Sequence, residues 1–514
     1  MLQQNEYSAT TLQDVRESIQ LSHGELGRLP AGLRRPGFDP ADLKTGVLHL
    51  GCGNFHRAHQ AVATQAAIEA EGRAGLRWGI ASVSMRSPEV AQILTRQNGL
   101  YTVLQCDSTE TEPMVVGSIV EAVFSPNDSR GLAARMANPD IALVTLTVTA
   151  DGYHLEPSTC QLISDHPHII QDLSHLSRPK TAVGALVSGL ALIRERGGKP
   201  PVILSCDNLS ANGSTLRQAV LDFASLVDDR LSAWIAGNVS FPNTMVDRIV
   251  PMTKAEDIAE AQELLGGMLD EAPVPTEPWF QWVIEDFDGP RPLWEAGGAR
   301  FVTDVAPFEL AKLRMLNGTH MLLAYVGALA GKNTVAEAAG DRTIGTLALR
   351  FMQKEQAAHV PFPSVTLDQY AKDLMQRFRN PAIVHMIERI GRNGSGKIAT
   401  RVLEPMRQNL EAGIPVQGAM LLIASWIRWF ALHEQDELDV QLVDPRADEL
   451  RRICREASED FRAQAEAFLS MEEIFGPPLP DHDRIVAEIG DLMRRLAHEP
   501  VAEVLADLAR KVNA

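Results

Sequence analysis

At 514 residues, with 45% hydrophobic and 22% charged side chains, the chain is long enough for two or more domains, each with its own core. A net charge of −18, from 48 basic and 66 acidic side chains, repels phosphate backbones and anionic lipid, so nucleic acid and membrane partners are not expected. Five scattered cysteines without a CxxC pair, no secretory leader in the first 20 residues and no apolar stretch of bilayer length predict reduced thiols and a cytoplasmic location.

Residues 1–40 are polar and then rich in Gly and Pro, an extension expected to pack on a core formed elsewhere. Gly46-Val-Leu-His-Leu50 reads as a short apolar strand, Gly51-Cys52-Gly53 as a turn, and Asn54 to Glu71 as a helix. Strand, Gly-x-Gly turn and helix open a dinucleotide-binding βαβ unit, in which glycines let backbone amides approach a pyrophosphate. The third glycine of the fingerprint is replaced by His56, which leaves helix–strand packing to a later small residue such as Ala58. Further strands are predicted at 77–85, 141–149 and 201–205, and helices at 181–195 and 213–236. This alternation implies a mostly parallel, doubly wound sheet. Residues 101–105 and 114–124 suggest an inserted or edge hairpin.

Ligands bind such sheets at the carboxyl ends of strands. Ser205-Cys206-Asp207-Asn208 and the Asp247–Arg248 pair, set between two prolines, are conspicuous there, although turn chemistry and a surface ion pair explain them equally well. Beyond a break at Gly297-Gly298, helical periodicity continues, roughly over 309–330, 341–357, 366–378, 399–411, 415–434, 446–469 and 481–512. The expected organisation is therefore an extension at 1–40, a Rossmann-type α/β domain at 41–298 and a mainly α-helical domain at 299–514.

The helix around Lys312-Leu-Arg-Met-Leu-Asn317-Gly-Thr-His320 has Leu and Met almost all round its axis, the pattern of a buried helix. At about 100° per residue, Lys312, Asn317 and His320 fall within an arc of roughly 140°. A buried Lys with no carboxylate four residues away is costly unless it has a task. Joined to a nucleotide-binding half, it suggests hydride transfer between an alcohol and NAD(P). Lys312 is then a general base if burial lowers its pKa, and Asn317 with an amide from the sheet side, such as Asn208, donates to the developing oxyanion. His320, one turn on, holds a neighbouring hydroxyl.

Lys312-x4-Asn317-x2-His320 in this context resembles the signature of the mannitol dehydrogenase family, the polyol-specific long-chain dehydrogenases. So do Leu50-Gly-Cys-Gly-Asn-Phe-His-Arg-Ala-His59, Asn98-Gly-Leu-Tyr-Thr102, Thr147-Val-Thr149, Ser205-Cys-Asp-Asn208, Thr244-Met-Val-Asp-Arg-Ile249 and Trp282-Val-Ile-Glu-Asp286. The resemblance implies a zinc-independent NAD-dependent oxidoreductase, monomeric or loosely assembled, with its active site between a Rossmann-type and a helical domain. By position it implies Lys312 as base, Asn208 and Asn317 as the pair on the reacting oxygen, and Asp247, His320, Arg389 and Lys397 on substrate oxygens. Leu50, Gly51, Gly53, Asn54, Phe55, Arg57, Arg86 and Thr149 fall at the cofactor.

Two departures bear on chemistry. Thr149-Ala-Asp151-Gly-Tyr153 replaces the family's Thr-Glu-Lys-Gly-Tyr near the nicotinamide. Arg86-Ser87 stands where NAD-preferring members carry a carboxylate for the ribose, which predicts tolerance of NADP. For substrate, Lys-Leu-Arg-Met-Leu-Asn-Gly resembles the uronate reductases, whereas Arg389 eight residues before Lys397 resembles the mannitol enzymes. Arg314 and Arg392 are extra cations for a carboxylate substrate, but Arg314 lies about 160° round the helix from Lys312. The balance tips to a hexitol–ketohexose pair of the mannitol–fructose type, with fructuronate–mannonate or tagaturonate–altronate as the alternative. A zinc enzyme would need more than the compact pair His56-x2-His59, and a non-catalytic dinucleotide-binding protein would have no use for the Lys–Asn–His set.

Overall fold

The computed structural model describes residues 19–513 apart from 129, 130, 157, 158 and 439, so the polar start of the extension lies outside the described residues. The chain divides into two compact units after Val305 rather than at Gly297-Gly298. Residues just past the glycines form a strand, Ala299–Val302, that pairs in parallel with Gln281–Glu285 and so stays with the first unit.

In the first unit the strands are β1 (Thr45–Leu50), β2 (Gly79–Ser84), β3 (Tyr101–Cys106), β4 (Thr111–Val116), β5 (Ile119–Phe124), β6 (Leu143–Leu146), β7 (Val202–Ser205), β8 (Thr244–Asp247), β9 (Val274–Thr276), β10 (Gln281–Glu285) and β11 (Ala299–Val302). The central sheet has the order β5-β2-β1-β6-β7, and every pairing within it is parallel. β1, β2, β6 and β7 are buried almost throughout because helices such as Gln60–Glu71 and Ala182–Glu195 cover the faces. The stretch 114–124 does not form one arm of a hairpin. It splits at Gly117: β4 pairs antiparallel with β3, and β5 becomes the parallel edge of the central sheet. A Cβ on Gly117 would lie within 3.0 Å of the rings of Pro36 and Pro40, so the corner has no room for a larger residue. Leu21 and Leu29 of the extension are buried with Leu100, Val115, Leu265 and Met268.

The second unit is helical. Its apolar core is built on two buried helices, Thr319–Leu329 and Gln417–Glu434. The Glu355 carboxylate caps the second by accepting from the Gly418 and Ala419 amides at 2.6 and 2.9 Å. The predicted helix 309–330 is not one α-helix. Ala306–Ala311 and Thr319–Leu329 are α, and Lys312–Gly318 between them is a π-helix. Two more π segments, Met352–Gln356 and Ala399–Leu403, continue helices read as regular and pack with the first. The long runs 446–469 and 481–512 are each broken in two, at Ser458, whose φ is 47°, and before Pro500.

Candidate active-site residues

In the first unit a cavity of about 1220 Å³ opens at the carboxyl ends of β1, β2, β5 and β6. Gly51, Gly53, Arg86 and Thr149 line it; Leu50, Asn54, Phe55 and Arg57 do not. Gly51 turns the chain out of β1 with φ 108°, and a Cβ there would sit 2.1 Å from the Thr147 carbonyl oxygen. A Cβ on Gly53 would meet nothing within 4 Å, so the space beside its backbone is open to a ligand. This juxtaposition is what a Gly-x-Gly turn requires.

The missing third glycine is compensated by stacking. His56 is fully buried and its ring lies 3.3 Å from that of His49 on β1, the two planes 8° apart. His49 is fixed by Thr145 and Thr147 hydroxyls at 2.7 and 2.9 Å, and burial holds its pKa down to about 3, so it is a neutral packing group. Arg57 and Asn54 hold the turn from behind. The Arg57 guanidinium donates to the Ala272 carbonyl and to Asn54 Oδ1, and the Asn54 amide donates to the Pro251 carbonyl and Thr253 Oγ1. Leu50 belongs to the core, and Phe55 stacks on His59.

Asp207 at the end of β7, conspicuous in the sequence but given no role there, organises the next loop. Its carboxylate accepts from the Val148 and Thr149 amides at 3.1 and 2.8 Å and from the Tyr153 hydroxyl at 2.5 Å. Burial raises its pKa, and these donors pull it back. The bonds hold Thr149 at φ 68°, an unusual conformation for a β-branched residue. Asn208, next in sequence, is exposed. Asp247 and Arg248 are not a surface ion pair. Asp247 is 6% exposed and accepts from Trp279 Nε1 at 3.1 Å; Arg248, also 6% exposed, turns inward to the Glu277 and Ala58 carbonyls.

In the second unit Lys312 is 8% exposed and opens the π segment. In a π-helix residues five apart are joined by one hydrogen-bonded turn, so Lys312 and Asn317 stand one above the other rather than spread over the wide arc of an α-helix. His320 is fully desolvated, packs on Phe378 and His385 with ring centroids 4.5 and 5.5 Å away, and has no partner for Nε2. Burial first, then coupling to the His385 ring and the positive charges of Arg377, Arg401 and Lys397, hold its pKa well below the ordinary value, so it is neutral. Arg314 is buried on another side, donating to Gln408 Oε1 at 2.8 Å.

The basic glycine-rich stretch 389–397 is pinned at Gly391, Gly394 and Lys397, although Arg389, Arg392 and Asn393 are exposed. The Tyr325 hydroxyl donates to the Gly391 carbonyl at 3.0 Å, and a Cβ on Gly394 would meet Tyr325 Oη at 2.3 Å and Trp426 Nε1 at 2.6 Å. Lys397 donates back to the Ile390 and Arg392 carbonyls, and burial lowers its pKa to about 8. The Arg401 guanidinium, which sequence reasoning did not select, acts on both His320 and Lys397. The carboxylate nearest in effect to Lys397, Asp444, is occupied by the Ser395 amide and hydroxyl at 2.9 and 2.5 Å. Arg389 is exposed, and Arg392 pairs with Glu388. His56 and His59 do not form a metal pair, since His59 Nε2 lies 3.0 Å from the Gln281 carbonyl while His56 faces His49.

Residues 45–296 match the mannitol dehydrogenase Rossmann domain, and residues 304–497 match the mannitol dehydrogenase C-terminal domain. The D-mannonate oxidoreductase of Escherichia coli K12 is 38% identical over 92% of this chain and 98% of its own. A mannitol 2-dehydrogenase of Pyricularia oryzae is 34% identical over 94% of this chain and 96% of its own. Among solved structures, Pseudomonas fluorescens mannitol 2-dehydrogenase, in a ternary complex with NAD and D-mannitol, superposes with a TM-score of 0.81 at 33% identity, covering 96% of this chain and all of the other. A chain with this parallel-sheet unit, this helical unit and these relatives is an oxidoreductase that belongs to the mannitol dehydrogenase family.

Proposed function

We propose that the protein interconverts a secondary alcohol and a ketone of a sugar acid, using a nicotinamide dinucleotide held at Gly51 and Gly53, with Lys312 as general base. The observation that carries this reading is a lysine only 8% exposed, one π turn below Asn317 on a buried helix. The residues of the first unit fit a dinucleotide: a cavity at four strand ends, a backbone approach that only glycine allows, and open space at Gly53. The cofactor supplies hydride acceptance and return. Lys312 takes the hydroxyl proton, Asn208 and Asn317 donate to the oxygen as charge develops on it, and neutral His320 presents its unpartnered Nε2 to an adjacent hydroxyl. Asp247, Arg389 and Lys397 hold the remaining substrate oxygens. None of these steps calls for zinc. Arg86 and Ser87 beside the cavity support use of NADP as well as NAD.

For the substrate, the cations Arg377, Lys397 and Arg401 act on His320, and the carboxylate beside Lys397 is already bonded elsewhere. Such a cluster favours a hexonate–hexuronate pair, and the mannonate oxidoreductase relative agrees. The Arg389–Lys397 spacing favours the second reading, mannitol–fructose. The test is a panel of fructuronate, tagaturonate and fructose with NADH and NADPH, followed by nicotinamide absorbance. A ketouronate is expected to exceed fructose in kcat/KM by tenfold or more, on the order of one lost charged hydrogen bond. Lys312→Ala should lose about 10²–10⁴-fold in kcat with nucleotide affinity little changed. A preference for fructose selects the second reading. Nucleotide binding without turnover of any sugar selects a non-catalytic protein.

A further inference from the structure

His166-Pro167-His168 is a second compact histidine pair, and it opens the helix Pro167–Ser174. His154, in left-handed backbone at φ 54° and ψ 49°, faces it from the loop after Tyr153. One ring nitrogen from each of the three residues lies within 4.8 Å of the other two. The ring centroids are 4.2 Å apart for His154 and His166, 5.2 Å for His166 and His168, and 5.7 Å for His154 and His168. Three imidazoles this close repel one another when protonated. Asp172, whose charge partly offsets this repulsion at His154, is itself committed to the Lys180 and Thr181 amides and the Thr181 hydroxyl at 2.7–2.8 Å. The cation Arg86 adds to the repulsion at His154.

We propose that His154, His166 and His168 bind one borderline transition-metal dication of the zinc class, with water completing its coordination. An all-imidazole set suits Zn²⁺, Co²⁺, Ni²⁺ or Cu²⁺ and is wrong for Mg²⁺ or Ca²⁺, which take oxygen. Nitrogens about 2.0–2.1 Å from zinc are closer together than 4.8 Å, and rotation of His168, the exposed member, closes the difference. Coordination through Nδ1 of His166 replaces the bond it accepts from the His168 amide at 3.2 Å. His154 and His168 also line the cavity that holds Gly51, Gly53 and Arg86, so the ion fixes one wall of that cavity and takes no part in hydride transfer. The site is independent of the substrate reading.

Full-length protein without a histidine tag is stripped with a chelator and titrated with Co²⁺, followed by calorimetry and visible absorption. One ion per chain is expected, with the absorption of a four-coordinate site; the stripped protein should keep its kcat at saturating NADH but show a raised KM for NADH. His154→Gln and His168→Ala should each weaken Co²⁺ binding by more than the roughly 10–100-fold that outer-shell changes cost. His175→Ala, at the far end of the same helix, should not weaken it. His168 is exposed, so its variant decides the matter even if His154→Gln impairs folding. No bound ion, or binding unaltered in both variants, overturns the proposal. Loss of kcat at saturating NADH on removal of the metal overturns the statement that the ion stays out of hydride transfer, and an unchanged KM for NADH overturns the wall-fixing role.

Discussion

The two units present their chemistry differently. In the first, the turn that opens the cavity is a backbone device: a glycine at positive φ, its close approach to the Thr147 carbonyl oxygen and strand ends in register. In the second, the groups are side chains whose directions depend on the phase of a helix, and that phase is shifted by a π segment packed against two others. Backbone sites tolerate change in neighbouring side chains but not at the glycine. Helix-phase sites tolerate conservative changes at each residue but not in the packing that sets the phase.

The strongest way to break this contrast is Gly51→Ala. A Cβ 2.1 Å from a strand carbonyl oxygen, on backbone at φ 108°, has nowhere to go. We expect loss of more than about 4 kcal/mol, or no folded protein, by thermal denaturation and NADH titration. A variant that folds and binds NADH normally would show that the turn is not a close approach.

Gly318→Ala tests the other half with a smaller effect. The added methyl would lie 2.6 Å from Gln356 Nε2 and 3.0 Å from the Arg401 carbonyl oxygen, on the two neighbouring π segments. The Gln356 amide bonded to that carbonyl at 3.0 Å must move. A cost of about 1–3 kcal/mol is expected from overpacking. Under the proposed mechanism kcat falls by more than the stability loss explains, because Lys312 and Asn317 lose their alignment. Unchanged kcat in a destabilised variant would separate the π geometry from catalysis.

Much of this contrast was open to sequence reading. The first strand, the Gly-x-Gly turn and the parallel sheet follow from apolar runs and glycine placement, and the Lys–Asn–His grouping follows from cost: polar groups gathered on one side of a helix rich in Leu and Met. The π segments were not legible, since one extra residue in a turn leaves hydropathy unchanged. Nor was the break at Gly117, where two strands of one apolar run join different sheets. The role of Asp207 and the presence of Arg401 were not legible because their partners are distant in sequence, and the stack of His56 on His49 has no composition signal.

The smallest effect concerns pH. Lys397 has its pKa lowered from 10.5 to about 8 by burial, so it is charged below that pH and neutral above it. Attraction for an anionic substrate is therefore full below pH 8 and lost as pH rises through it. The kcat/KM for a ketouronate should fall severalfold between about pH 7 and 9, while Lys397→Arg, charged throughout, flattens the profile. A flat profile in the wild type would remove Lys397 from the carboxylate site.

The wedge of Gly394 between Tyr325 and Trp426 carries a thermodynamic consequence. A loop already immobilised in the empty protein surrenders little chain entropy when a sugar arrives, so recognition at Lys397 should be dominated by enthalpy. Calorimetry on Tyr325→Phe, which releases the Gly391 carbonyl without touching any cation, would then register a larger entropic penalty on association.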